Sequence, residues 1–448
     1  MPFIRVVLCL LLAIIPALAA ADQPLRPNIV FLLADDLGSH DVSWRGSEIK
    51  TPHLDGLANK GARLNQFYVQ PVCSPTRAAL LTGRYPFRYG LQVGVVRPWA
   101  QYGLPLEERL LPVALKEVGY ETAIVGKWHL GHFRPEYLPT RRGFDHQYGH
   151  YNGALDYFTH VRDGGFDWHR DDKVNRDEGY STELLAEEAT RLIKGRQRDK
   201  PLLLYVPFNA VHAPLQVPEK YTEPYAQLKG NRKTYAGMIA AMDEAVGRIV
   251  AALREEKMLE QTLILFSSDN GGPNPGNLTR NGPLRAGKGT VYEGGVRVCA
   301  FASWEGQIPA SEVETPIHIT DWYPTLLRLA GAKTEQPLAI DGHDIWPVLK
   351  DKAPPTRDTF VLNSAPDGSA IRVGDWKLVV HPDRKTDGVE LFDLNKDPGE
   401  KENLASTQVD KVRELQSRLA QFAEQAAPPR GGPQPRGFQV PRVWGESE

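Results

Sequence analysis

Two apolar stretches of this sequence end in acids. PNIVFLLADD closes on Asp35 and Asp36, and QTLILFSSDN closes on Asp269 and Asn270. Continuous apolar runs of this kind suit strands buried on both faces of a parallel sheet. In open α/β sheets, ligands gather beyond the carboxyl ends of such strands. Two strands ending this way put three carboxylates and one amide oxygen in one place. Their mutual repulsion calls for a cation, and an all-oxygen donor set favours Ca2+ or Mg2+ over zinc. Either pair alone fits a helix N-cap or a turn acid. Repetition at two strand ends is what favours a metal.

Cationic residues follow other runs. GYETAIVGKWHLG carries Lys127 and His129 two residues apart, so in an extended segment both share one side and Trp128 takes the other. PFNAVHAP places His212 just past a strand, and LRAGKGTVYEGG places Lys288 between two glycines, in a loop able to approach a ligand closely. A lone His or loop Lys is ordinarily structural or solvated. Clustered beside an acid-bound metal, these cations suit an oxyanion ester, whose transition state spreads charge over oxygens.

PVCSPTRAALLTGR supplies a thiol. Ser74 fits an N-cap, Pro75 the first helical position and Gly83 a helix stop. Cys73 then faces the free N–H groups of a helix start, a place that lowers a thiol's pKa and attracts anions. Arg77, four residues on, shares its helix face. Apart from Cys9, in the apolar leader, the only other cysteine is Cys299. A Cys73–Cys299 disulfide is one reading and a reactive centre the other. A chain of 448 residues does not need such a staple.

These residues must be positioned by a large scaffold. YETAIVG and PLLLYVPF read as further buried strands. TYAGMIAAMDEAVGRIVAALREEKM reads as an amphipathic helix, apolar at 235, 238, 239, 242, 246, 249, 250 and 253. The alternation predicts an α/β fold with a large mixed, mostly parallel sheet sandwiched by helices. From about Asp358 the runs shorten (DTFVLNS, AIRVGDWKLVVHP, GVELFDLNKDP), with turns at Gly374-Asp375 and Asp387-Gly388, and 405–425 reads as a helix. The expected organisation is a signal peptide over 1–21, a catalytic α/β domain over 22–355, an α+β subdomain with a short antiparallel sheet over 356–426, and a loosely held Pro/Gly-rich tail over 427–448. The apolar run after MPFIR is too short to span a membrane stably and ends in Ala17-Leu18-Ala19, which predicts export. A net charge of -2 gives no sign of a nucleic-acid partner.

Cys73-Ser74-Pro75-Thr76-Arg77, leading to Leu81-Thr82-Gly83-Arg84, resembles the type I sulfatase signature, and GYETAIVGKWHLG resembles the second signature of that family. The resemblance runs from about Pro27 to Leu404. LPTRRGFDHQYGHYNGALDYFTH and EERLLPVALKEVGYETAIVGKWHLG are most similar to the arylsulfatase B, or N-acetylgalactosamine-4-sulfatase, group. The resemblance implies an alkaline-phosphatase-like fold. It also implies conversion of Cys73 to formylglycine by a maturation enzyme, and a Ca2+ ion (Mg2+ being possible) held by Asp35, Asp36, Asp269 and Asn270 beside residue 73. Arg77 would then hold the diol of the hydrated aldehyde, and Lys127 and Lys288 would clamp sulfate oxygens. His212 or Lys288 would protonate the leaving alcohol, and His129 would take a proton as sulfate leaves.

The implied substrate is a sulfated saccharide of the chondroitin or dermatan type, cleaved at the 4-O-sulfate. A phosphonate or phosphodiester hydrolase of the same superfamily, a sulfatase for another polysaccharide and a catalytically dead sulfate-binding protein are the alternatives. Trp99, Tyr151, Tyr157 and Trp168 either stack on sugar rings or pack. Animal relatives carry several disulfides, so the sparse cysteines point to a bacterial periplasmic or secreted enzyme. Arg297-Val298-Cys299 departs from the usual proline after Arg-Val and makes Cys299 a small buried residue. Asn277-Leu278-Thr279 is a glycosylation sequon only in a eukaryotic source.

Overall fold

The computed structural model describes residues 25–274, 278–365, 368–381 and 388–446. The apolar leader, Asn277 of the sequon and Asp387 of the second expected turn lie outside them.

Ten strands form the main sheet, with Asn28–Ala34 at its centre. Thr262–Ser268 flanks it on one side and Leu202–Pro207 on the other, both parallel, followed outward by Glu121–Lys127 and His146–His150, also parallel. Beyond this parallel core the pairing turns antiparallel on both sides, at Ala300–Ser303 beside Thr262–Ser268 and at His169–Arg170 beside His146–His150. Every residue of Asn28–Ala34 is buried, because helices cover both faces. Ile29, Phe31 and Leu33 join one core with Leu80, Leu81 and Trp322, and Val30, Leu32 and Ala34 join the other with Met238, Met242 and Val246. The period-two alternation of a strand thus feeds two separate apolar layers. The long helix Gly230–Glu255 buries the expected stripe, except that Val250 is half-buried.

Register fixes what happens at the sheet's carboxyl edge. Ala34 is opposite Ser268 and Leu33 opposite Pro207. The Asp269 N–H continues the ladder by donating to Ala34 O at 3.0 Å. Asp35 and Asp269 therefore leave neighbouring strands at the same level.

A four-stranded antiparallel sheet forms the C-terminal unit: Thr359–Ala365, Gly368–Val373, Trp376–Val380 and Val389–Asp393, backed by the helix Val409–Ala423. Gly374 and Asp375 make a two-residue turn, with Gly374 at a φ of 58° that suits glycine. The tail is not loosely held at its end. Trp444 is buried, and Phe166 and Val443 form a parallel bridge. Cys73 and Cys299 are both buried and free, so the disulfide reading is overturned. No helix among the described residues is long and apolar enough to cross a membrane.

The two units meet over a buried ionic cluster. Lys377 Nζ lies 2.9 Å from Glu293 Oε1 and 2.8 Å from Glu400 Oε1, all three side chains being fully buried. Tyr68 donates to Glu293 at 2.7 Å, and the Glu293 N–H donates to Glu400 at 2.7 Å. Burial pushes the Glu400 carboxyl up to about 7 despite Lys377. Removing one member of such a cluster strands buried charge. Lys377→Ala is expected to lose about 3–5 kcal/mol in urea unfolding; a loss below about 1 kcal/mol would mean that solvent reaches the glutamates.

Candidate active site

The helix carrying the thiol spans Cys73–Thr82 and ends on Gly83, whose φ of 68° lets the chain turn back. Its start differs from the expected one. Val72 is the N-cap, and Ser74 lies inside the first turn. The Ser74 hydroxyl is engaged elsewhere: it donates to His129 O at 2.9 Å and accepts the Val96 N–H at 3.0 Å. These tertiary partners outcompete a local cap. Pro75 still falls within the first turn, where a missing N–H costs nothing.

Around this helix start the structure gathers the strand-end acids and the cationic residues singled out in the sequence. Cys73 Sγ lies 3.5 Å from Asp35 Oδ1. Lys127 Nζ pairs with Asp35 Oδ2, both side chains being fully buried. Arg77 directs Nε and Nη2 to Asp269 Oδ2 at 3.1 and 2.8 Å, and donates through Nη1 to Lys127 O at 3.0 Å. Lys288 Nζ reaches Asp36 Oδ2 at 2.7 Å, and His212 Nε2 lies 3.6 Å from the same oxygen. Asn270 donates to Asp36 Oδ1 at 2.8 Å. Lys288 and His212 are 21% and 23% exposed, against 0–5% for Asp35, Asp36, Arg77, Lys127 and Asp269. These two side chains therefore form the mouth of an otherwise buried site.

Burial pushes the Asp35 carboxyl up, but Lys127, His212 and Arg77 outweigh it and hold it below the usual range, against the opposing charge of Asp36. The thiol goes the other way. Burial first, then Asp269 and Asp35, push Cys73 well above an ordinary thiol. Burial and these two carboxylates override the expected thiolate-stabilising helix start.

His129 sits where alternation alone would not place it. The strand ends at Lys127, and His129 adopts a left-handed φ of 57°. Trp128 turns into the core, donating to Gly131 O and Tyr137 O at 3.0 Å. His129 Nε2 lies 3.0 Å from Val96 O. A carbonyl only accepts, so Nε2 carries the proton and Nδ1 is left as an acceptor, buried without a partner. Burial, reinforced by Lys127, Arg77 and His212, holds His129 well below an ordinary histidine and keeps the ring neutral.

Candidate ligand atoms for a divalent cation are present, two carboxylates together with a thiol and an imidazole. Asp35, Asp36, Cys73 and His212 offer ligand atoms within 4.8 Å of one another. Asn270 Oδ1 is buried and has no hydrogen-bond partner, although its amide nitrogen has two. An orphaned acceptor beside carboxylates fits a cation.

Several supporting groups carried no sequence signal. Tyr157 OH lies 2.7 Å from Asn209 O and 2.8 Å from His212 O, pinning the loop that carries His212. A Cβ on Gly153 would stand 2.4 Å from the His129 ring. Of the aromatics weighed as sugar platforms, Tyr151, Tyr157 and Trp168 are buried and pack; Trp99 is half-buried. A cavity of about 350 Å³ instead opens beside the site, lined by Val72, Gln92, Thr290, Tyr292, Asn363 and His381. Its walls come from both units and include the neighbour of Cys73.

Comparison with known proteins agrees with this geometry. Residues 27–332 match the family model described as Sulfatase, and residues 286–425 match the one described as N-sulphoglucosamine sulphohydrolase, C-terminal. The chain is 37% identical to mouse arylsulfatase J, over 94% of this chain and 80% of that protein. It is 36% identical to mouse N-acetylgalactosamine-6-sulfatase, over 74% and 68%. The crystal structure of Ps i-CgsB in complex with k-i-k-neocarrahexaose superposes with a TM-score of 0.84 at 32% identity, covering 91% of this chain and 94% of that one. These relatives do not single out the arylsulfatase B group that the loops suggested.

The contact at Gly153 gives a direct test of the His129 arrangement. Gly153→Ala forces a methyl against the ring. Turnover of an aryl sulfate is expected to fall on the order of 10²-fold with the circular dichroism spectrum unchanged. Unchanged turnover would show that the position of the ring does not matter.

Proposed function

This chain belongs to the sulfatase family and hydrolyses sulfate esters, and we propose that its substrate is a sulfated saccharide of the chondroitin or dermatan type, cleaved at the 4-O-sulfate of N-acetylgalactosamine. The fold is the alkaline-phosphatase-like α/β fold of that family. The observation that carries the proposal is the convergence of Arg77, Lys127, Lys288 and His212 on the carboxylates beside residue 73. Such a cation-rich pocket suits a sulfate group. The relatives named for N-acetylgalactosamine and the neighbour bound to neocarrahexaose support a saccharide. The first of these also supports a second reading, cleavage at the 6-O-sulfate.

Asp35, Asp36, Asp269 and Asn270 would hold Ca2+, or Mg2+, beside residue 73, where the ion supplies charge neutralisation and Lewis acidity. Converted to formylglycine by a maturation enzyme, residue 73 supplies an aldehyde whose hydrate offers two hydroxyls on one carbon. The remaining work falls to the chain's own side chains. Arg77, locked by Asp269 and the Lys127 carbonyl, orients the oxygen at position 73. Lys127 and Lys288 neutralise sulfate oxygens. His212 Nδ1 lies 2.6 Å from Ala213 O and so carries a proton; with a second proton on Nε2, the imidazolium would give that proton to the departing alcohol at the mouth and return to the neutral ring. His129 Nδ1 accepts a proton in the buried half of the site. The cavity lined by Gln92, Asn363 and His381 takes the sugar. The apolar leader supports work in the periplasm or outside the cell.

The measurement is turnover of an aryl sulfate beside an aryl phosphate diester, followed by 4-O- and 6-O-sulfated N-acetylgalactosamine disaccharides. The sulfate is expected to win in the first pair and the 4-O isomer in the second. Preference for the diester would sink the sulfatase assignment, and preference for the 6-O isomer would sink only the 4-O reading. His381→Ala is expected to raise KM for the disaccharide and to leave the aryl sulfate untouched.

A further inference from the structure

The C-terminal tail grips both chain segments that hold His129. Residues 427–437 are almost all exposed, so this stretch buries little apolar surface; it is tied down by hydrogen bonds. The Arg430 N–H donates to Gly90 O at 2.7 Å, Gln92 Nε2 donates to Ala427 O at 3.0 Å, and Trp99 Nε1 donates to Gly432 O at 3.4 Å. A Cβ on Gly90 would stand 2.7 Å from Pro428 O, so only glycine admits the crossing. Between these ties lies Val96, whose carbonyl fixes the His129 ring.

The tail's far end takes the other side. Trp444 is 2% exposed. Its N–H donates to Phe166 O at 2.9 Å, and Nε1 donates to Arg162 O at 2.8 Å. Its ring meets His132 edge-on, with centroids 5.5 Å apart. Gly445 lies so close to the Tyr151 ring that a Cβ would come within 2.6 Å. Tyr151 O is the acceptor of the His129 N–H, at 3.0 Å. The hydrogen bonds that fix the His129 ring and its backbone N–H thus come from segments that the tail covers. The prolines at 428, 429, 433 and 435 limit the chain's freedom between the two anchor points.

We infer that residues 427–445 form a belt that positions His129, with Trp444 as its anchor and a positioning residue of the reaction. The inference rests on the reading of His129 as a proton acceptor in sulfate ester hydrolysis. His132 and His169, which face Trp444, are buried, and burial holds both below an ordinary histidine.

The test uses the full mature enzyme carrying Trp444→Ala, with Trp444→Phe as the conservative partner. Trp444→Ala is expected to lower kcat for an aryl sulfate about tenfold at unchanged KM. Amide hydrogen exchange should rise in segments 94–99 and 129–132, and Trp444→Phe should restore most of both. In a His129→Ala background, Trp444→Ala should cost nothing further. An equal loss in both backgrounds would overturn the inference, and so would unchanged exchange in those segments. Full turnover in His129→Ala alone would refute the role given to His129 and with it the belt's part in the reaction, whatever the exchange shows.

Discussion

Everything at this site follows from the repulsion among Asp35, Asp36 and Asp269. The parallel register at the sheet centre delivers these carboxylates to one level of one edge. Asp35 and Asp36 have carboxylate oxygens within 4.8 Å of each other, a separation at which two charges repel by about 3.5 kcal/mol at an effective dielectric near 20. The chain answers with Lys127 on Asp35, Arg77 on Asp269 and Lys288 on Asp36. That leaves an unpaired amide oxygen on Asn270 and a set of oxygens ready for a divalent cation. The same cations that quiet the carboxylates are the ones a sulfate group needs. Under the proposed function, stability and substrate binding draw on one set of charges, while burial first, then Asp269 and Asp35, raise the Cys73 thiol.

The neutral histidine needs a different support. His129 is kept free of charge by burial among cations and kept in one tautomer by a single carbonyl. That carbonyl is on a loop, and the loop is tied to Ser74 on one side and to the tail on the other. The helix start, the loop and the tail form one mechanical unit, although they come from distant parts of the chain. The Lys377 cluster plays a comparable part lower down, joining the C-terminal sheet to the segment that follows Lys288.

The sheet, the two core layers and the strand-end acids were legible because burial on both faces writes itself as apolar runs, and the acids end those runs. Arg77 was legible as well, since a helix places residue i+4 over residue i. What lay beyond reading was each contact set by a distant partner. Ser74 looked like a cap because local rules do not know about His129 and Val96. The thiol looked activated because a helix start attracts anions, whereas burial, and then Asp269 and Asp35, push it the other way. Tyr151, Tyr157 and Trp168 look like sugar platforms in sequence, yet they fill the core. The tail's proline and glycine content suggested slack, and only Phe438 and Trp444, the two aromatics of the stretch, hinted at an anchor.

The account depends most on residue 73 not remaining a thiol. Mass spectrometry of the peptide containing residue 73, taken from active enzyme, tests this directly. Conversion of the thiol to an aldehyde exchanges sulfur for oxygen and removes two hydrogens, so the peptide should be lighter by about 18 Da. A peptide of unmodified mass in fully active enzyme would contradict the account.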